Sequence, residues 1–178
     1  AAHVKDLLSV LRWAENPRNR LAGFRAVRLL PGIGPATAAR LLDTMDRAPD
    51  PLAAMAAFDP PPAAVVDWPA LVALCGRLRR EEASWPADID DACRWYEPHL
   101  ERIYDDAAAR LGDLAQLTRI AATYVSRERF LTEVTLDPPG ATGAEAGVPE
   151  LDDDYLILST IHSAKGQEWK TVHVLNVI

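Results

Sequence analysis

The feature that most restricts the fold of this chain is an abrupt change of pattern near residue 137. Before it, apolar residues recur at helical spacing, as in Val4, Leu7, Leu8 and Leu11. Beyond residue 150, the runs YLILSTIH and TVHVLNVI are almost continuously apolar, which is typical of strands covered on both faces. Residues 137–150 are rich in proline, glycine and acid and predict a flexible surface linker. The chain should therefore contain a helical unit followed by strands that cannot form a domain alone.

Proline and glycine set the expected helix boundaries. A helix over residues 21–30 is predicted to stop at Pro31, and the next to begin near Pro35. Further helices are expected over about 68–80 and over 89–131, the latter interrupted at Pro98 and Gly112. The spacing in that last region predicts one buried face, made of Leu100, Ile103, Tyr104, Ala107, Leu111, Leu114 and Leu117. The predicted fold class is mainly α, a helical bundle with a short C-terminal β segment.

Charge is distributed unevenly along the 178 residues. The net charge of −7 argues against a surface that attracts nucleic acid everywhere. Residues 1–40 nevertheless carry a local charge of +5, which leaves −12 for the rest. We therefore expect any contact with a polyanion near the start of the chain. The cations in that region are Lys5, Arg12, Arg18, Arg20, Arg25, Arg28 and Arg40.

The cysteines and the hydropathy of the sequence indicate the compartment in which the chain is expected. Cys75 and Cys93 lie in helical patterns without metal-ligand spacing, which predicts buried free thiols in a reducing compartment. No run reaches the roughly 18 apolar residues that a membrane span needs. We expect a cytoplasmic protein with no membrane partner and no metal site in this chain.

The segment LLPGIGPATAARLLD, residues 29–43, has the form of a helix-hairpin-helix. Gly32 and Gly34 are expected to turn the backbone with positive φ and to bring bare amides against a phosphate. The helix that follows would add its unpaired N–H groups and its positive dipole end. Such a device holds the DNA backbone without reading sequence. The alternative is a helix pair in which the glycines only cap and turn.

The segment STIHSAKGQEW, residues 159–169, is the sharper signal. The predicted strand would deliver Thr160 and His162 to its carboxyl end, where ligands bind in open α/β sheets. The turn expected after it would expose backbone N–H groups beside Lys165 and Gly166, and Glu168 comes next in the sequence. Such a group could hold a phosphate or a ribose hydroxyl.

These residues resemble motif V of the UvrD/Rep-type superfamily 1 DNA helicases. That motif, Thr-x-His-x-x-Lys-Gly-x-Glu-aromatic, is matched from Thr160 to Trp169, with Gln167 where the family usually has leucine. LPGIGPAT is similar to the duplex-contacting Gly-x-Gly motif of the family's inserted subdomain 2B. The resemblance implies that residues 1–13 end one part of RecA-like subdomain 2A, and that residues 14–152 form helical subdomain 2B. Residues 153–178 would then return to 2A, so that the β segment belongs to an incomplete α/β RecA-like domain.

The resemblance also implies roles for single residues. Thr160 and His162 would face single-stranded DNA, while Gly166 and Glu168 would lie toward the nucleotide. Lys165 belongs to the same nucleotide-coupling motif and could serve either the DNA side or the nucleotide side. Gly32, Ile33, Gly34 and Thr37 would contact duplex DNA. The implied parent is a bacterial, nucleoid-associated ATP-dependent 3′ to 5′ DNA helicase of repair or replication restart, which uses ATP and Mg²⁺.

This chain has no phosphate-binding loop, so no catalytic residue and no bound cofactor are expected in it. Expected partners are the single strand, the duplex junction and accessory repair proteins. Isolated 2A strands would also favour self-association.

Two other classes remain open from the sequence. A helix-hairpin-helix DNA glycosylase shares a string like LPGIGPATAARLL, but it would need a catalytic Asp and has no place for the C-terminal strands. The absence of lysine between Lys5 and Lys165 disfavours the form of that enzyme with a lysine in its hairpin. A non-catalytic DNA-binding or protein-interaction module is the third reading, because the acidic helices at 88–117 could dock a partner.

Overall fold

The computed structural model describes residues 1–79 and 85–136, and within these ranges the chain is mainly helical, with no strand. The eight α-helices are α1 (Ala2–Glu15), α2 (Arg20–Val27), α3 (Pro35–Arg47), α4 (Pro51–Ala56), α5 (Trp68–Leu78), α6 (Ala87–Ile103), α7 (Ala107–Ala121) and α8 (Arg127–Leu136), with a 3₁₀ turn at Pro62–Ala64. The mainly helical class is confirmed. The two predicted strands and the linker lie outside the described residues.

The chain divides into two compact units, Ala1–Pro139 and Gly140–Ile178, of which the first holds all the described helices. Helix α1 lies in the middle of this unit, since it packs against α2, α5, α6 and α7. Its apolar residues Leu7, Val10, Leu11 and Ala14 are fully buried. A single apolar core therefore joins α1 to the helices that follow it.

Proline starts three helices of the unit. Pro35, Pro51 and Pro69 occupy the first or second helical position of α3, α4 and α5, where a missing N–H costs nothing. The predicted start of α3 is thus confirmed. Helix α2 ends at Val27, three residues before the predicted end, because residues 28–34 form a tight turn.

The interruptions expected at Pro98 and Gly112 do not occur, because both residues lie inside helices. Pro98 is exposed, so the carbonyl four residues earlier, which it leaves unbonded, lies on the solvent face of α6. The break falls instead at Tyr104, whose backbone is extended. Because α6 ends there, Ile103 does not share one continuous helical face with α7, and it is exposed although it was expected on the buried face.

Candidate nucleic-acid interface

The turn between α2 and α3, residues 28–34, is built on buried apolar side chains. Leu29, Leu30 and Ile33 all enter the core. The amides of Leu29 and Leu30 bond the carbonyls of Ala26 and Val27, both at 3.2 Å. Because the side chains point inward, the turn presents backbone to its outer side. Ile33, predicted to contact DNA, can therefore contribute its backbone but not its side chain.

Gly32 has the conformation that the sequence predicts. Its φ is +73°, which L side chains rarely adopt. A Cβ on Gly32 would lie 2.9 Å from the Cβ of Ala63, in the 3₁₀ turn. Gly32 is thus required both by its backbone and by the close approach of the segment that precedes α5.

Gly34 differs from the prediction. Its φ is −81° and its ψ is 177°, an extended conformation open to any residue. The expectation of positive φ at Gly34 is wrong, because the turn is completed at Gly32 and Gly34 already serves as the N-cap of α3. Among the described residues, apart from its two chain neighbours, no atom lies within 4 Å of a Cβ built on it. The N-cap position is therefore open on its side-chain face.

The first turn of α3 has donors without a cap. Pro35 is the first helical residue, and no side chain of residues 1–79 and 85–136 caps the helix. The N–H of Ala38 bonds the carbonyl of Gly34 at 3.0 Å, whereas the N–H groups of Ala36 and Thr37 precede the first intrahelical bond. Thr37 is half-buried and Ala36 is exposed. These two amides, together with the positive end of the helix dipole, can receive an anion beside Gly34.

Several arginines near the start of the chain are used inside the fold. Arg20 pairs with Asp43 and Asp46 on α3, and Arg25 Nε lies 2.6 Å from a carboxylate oxygen of the buried Asp6. Arg18 donates to the carbonyls of Asp46 and Ala48 at the C-terminal end of α3. The local excess of positive charge in the sequence therefore overstates what is available to a polyanion.

Arg28 and Arg40 remain available near the turn. Neither has a carboxylate partner among residues 1–79 and 85–136. The Arg28 guanidinium lies 5.3 Å from the Phe24 ring centre, and that of Arg40 lies 5.1 Å from the Phe58 ring centre. Aromatic contact of this kind holds a guanidinium while leaving its charge uncompensated. Arg40 also stands on the face of α3 that carries Ala36 and Thr37, by helical spacing.

A third cation at the turn was missed by sequence reasoning. Arg102, on the last turn of α6, donates through Nη2 to the carbonyl of Leu29, 73 residues earlier in the chain. The sequence around Arg102 predicts only the solvent-exposed end of a helix. No local sequence pattern therefore predicts its contact with Leu29.

The described residues hold little that suggests other chemistry. Within them, no group of three His, Cys, Asp or Glu side chains is placed to hold a metal ion, and no helix is long and apolar enough to cross a membrane. Cys75 and Cys93 are free, as predicted, and burial raises the pKa of Cys75 to about 12. Such a thiol stays protonated and unreactive.

The motif V residues lie outside the described residues. This holds for Thr160, His162, Lys165, Gly166 and Glu168. Their assignment to single-stranded DNA and to nucleotide stays a prediction. No family model matches the chain, and no curated protein or solved structure matches it.

Proposed function

We propose that this chain is part of an ATP-dependent DNA helicase of the UvrD/Rep type and that its helical unit binds the duplex through the α2–α3 turn. The observation that carries the proposal is the open, uncapped N-terminus of α3 at Gly34, next to a turn closed by Gly32. Amides at such a terminus bind phosphate oxygens irrespective of base sequence. The resemblance at residues 160–169 supplies the second support.

The proposed contact is small and its salt dependence should be shallow. Arg28 and Arg40 can together neutralise about two phosphates, which gives a log–log salt slope of about −2, whereas the uncharged amides of α3 add a contact with little salt dependence. The net charge of −7 weakens binding further, so the isolated chain should bind duplex weakly and without sequence preference. A much steeper slope, or a clear sequence preference, would contradict this contact.

Gly34→Asp tests the contact without disturbing the fold. Aspartate is a better N-cap than glycine, so its carboxylate should accept the amides of Ala36 or Thr37 and raise the melting temperature slightly. The same carboxylate occupies the donors and repels a phosphate. Duplex binding, measured by fluorescence anisotropy at low salt, should fall below detection.

Gly112→Asp is the matched control. Gly112 lies in α7, and a Cβ there also meets no atom within 4 Å in the part of the chain that the structure describes. This variant changes the net charge equally but should leave duplex binding within about twofold of wild type, because mutations at distant surface sites act locally. Equal losses in both variants would show that only net charge matters and would remove the support from the α3 terminus.

The helicase assignment itself is tested in the complete protein. Gly34→Asp should lower duplex unwinding while ATP turnover stimulated by single-stranded DNA persists, because motif V is untouched. Glu168→Ala should lower ATP turnover, with Mg²⁺ and ATP present, and leave duplex affinity unchanged. An absence of ATP turnover in the folded wild-type protein would refute the helicase assignment.

A further inference from the structure

Arg102 satisfies a backbone group that the α2–α3 turn leaves open. Within the turn, the amides of Leu29, Leu30 and Ile33 all bond carbonyls other than that of Leu29. The Leu29 side chain is buried, and its carbonyl accepts from Arg102. A carbonyl near the core that loses its hydrogen-bond donor becomes costly, so the bond from Arg102 favours the observed path of the turn.

The end of α6 that carries Arg102 is itself anchored. Leu100 is fully buried, and the hydroxyl of Tyr104 donates to Asp6 Oδ2 at 3.0 Å. Arg102 lies between these two fixed points. Its guanidinium is therefore presented to the turn from a rigid support.

Arginines cap other helix ends of this unit in the same manner. Arg79 donates to the carbonyls of Ala14 and Glu15 at the end of α1, both at 3.0 Å. Arg127 donates to the carbonyl of Leu78 at the end of α5 at 2.7 Å. Arg102 differs from these two because the segment it holds leads, within five residues, to Gly34.

We propose that Arg102 is a positioning residue for the duplex contact: it fixes the α2–α3 turn at Leu29 so that Gly34 and the first amides of α3 face the DNA backbone. The proposal rests on the proposed function. It assigns a role in DNA binding to α6, which is remote from the hairpin in sequence. A guanidinium bonded to a carbonyl keeps its charge, so Arg102 could instead contact a DNA phosphate directly. The experiment must therefore distinguish positioning of the turn from a direct phosphate contact.

Arg102→Met removes the donor and keeps most of the side-chain stem, and Arg102→Lys restores one donor. In the absence of DNA, Arg102→Met should raise the hydrogen-exchange rate of the bonded amides of Leu29, Leu30 and Ile33 about tenfold, since the turn loses a charge-assisted bond. With a short duplex, its Kd should rise about 5- to 10-fold while the log–log salt slope stays at the wild-type value, because no phosphate contact is lost. Arg102→Lys should recover part of both effects.

Arg79→Met is the control, since it removes an arginine cap at the end of α1 and should leave both exchange in the turn and duplex Kd unchanged. A salt slope that becomes shallower by about one unit, with unchanged exchange in the turn, would identify Arg102 as a phosphate contact and overturn the positioning role. Unchanged exchange and unchanged Kd would overturn it as well. If wild type binds no duplex, the proposed function fails, while the exchange rates still decide whether Arg102 holds the turn.

Discussion

Two glycines that the sequence presents as equivalent have different roles in the α2–α3 turn. Gly32 is fixed by its positive φ and by Ala63, whereas Gly34 is extended and open. The motif alone predicts where the turn lies, because Pro-Gly-x-Gly between two apolar helices has few alternatives. It does not reveal which glycine needs its conformation, since that depends on Ala63, a residue brought in by tertiary packing.

His99 is a buried residue that makes stability depend on pH. It is only 5% exposed, and its ring centre lies 4.6 Å from that of Trp95. Burial lowers the pKa of His99 below 6.5 and the Arg102 cation lowers it further, while Asp67 acts in the opposite direction. The unfolded chain therefore takes up a proton near pH 6.5 that the folded chain resists, and the free energy of unfolding falls as the pH decreases through this range.

Replacing His99 with glutamine should weaken this pH dependence. The comparison is urea unfolding between about pH 7.5 and about pH 5.5, where histidine is the side chain that titrates. The variant should lose less stability than wild type over this interval. Some dependence should persist, because burial also lowers the pKa of His3. An unchanged difference between the two pH values would show that His99 does not contribute.

At the scale of elements, close packing decides how α2 sits between α1 and α3. Gly23 on α2 is buried, and a Cβ there would lie 2.5 Å from Trp13 Nε1 and 2.7 Å from Leu42 Cδ2. The Trp13 side chain cannot easily shift to make room, because it is fully buried and its indole N–H donates to the carbonyl of Pro17 at 3.1 Å. The missing side chain is thus what permits the approach of the three helices.

Gly23→Ala should therefore destabilise the unit although alanine is the better helix former. Overpacking costs about 1–3 kcal/mol and outweighs a gain of about 1 kcal/mol in helix propensity. The matched change Gly112→Ala, in open space on α7, should instead stabilise by about 0.5–1 kcal/mol. Denaturant unfolding monitored by circular dichroism measures both. The same sign for the two variants would contradict the packing argument.

The helix boundaries show which features of the secondary structure the local sequence predicts and which it does not. The start of α3 follows from Pro35, because proline suits a first helical turn. The interruptions expected at Pro98 and Gly112 were wrong, because helical context and an exposed position tolerate both residues. Arg102 could not have been assigned to the turn, since its acceptor is a backbone carbonyl brought close only by the fold. A cap that joins residues far apart in the chain produces no periodic pattern in the sequence, so hydrophobic spacing cannot predict it.

At the scale of the whole helical unit, the carboxylate of Asp6 joins distant parts of the chain. Asp6, on α1, is 5% exposed and accepts from Arg25 Nε at 2.6 Å, Tyr96 Oη at 2.8 Å and Tyr104 Oη at 3.0 Å. Burial and this carboxylate raise the pKa of both tyrosines, which remain donors at neutral pH. One side chain therefore links α1 to α2, to α6 and to the break before α7. Sequence reasoning counted Asp6 only as a negative charge.

Asp6→Asn should loosen this linkage throughout the unit. The amide keeps the volume but removes the ion pair with Arg25, and its NH₂ end cannot accept a hydroxyl proton. Removing one partner of a buried pair costs about 3–5 kcal/mol, and we expect about 2–4 kcal/mol here because Arg25 is 41% exposed. Tyr96→Phe, which removes one of the three donors, should cost about 1 kcal/mol. Arg20→Met breaks the two surface ion pairs with Asp43 and Asp46 and should leave the free energy of unfolding almost unchanged. The loss in free energy of unfolding, measured with urea, should therefore be largest for Asp6→Asn, smaller for Tyr96→Phe and smallest for Arg20→Met. If Asp6→Asn loses no more stability than Arg20→Met, Asp6 does not hold the helices together.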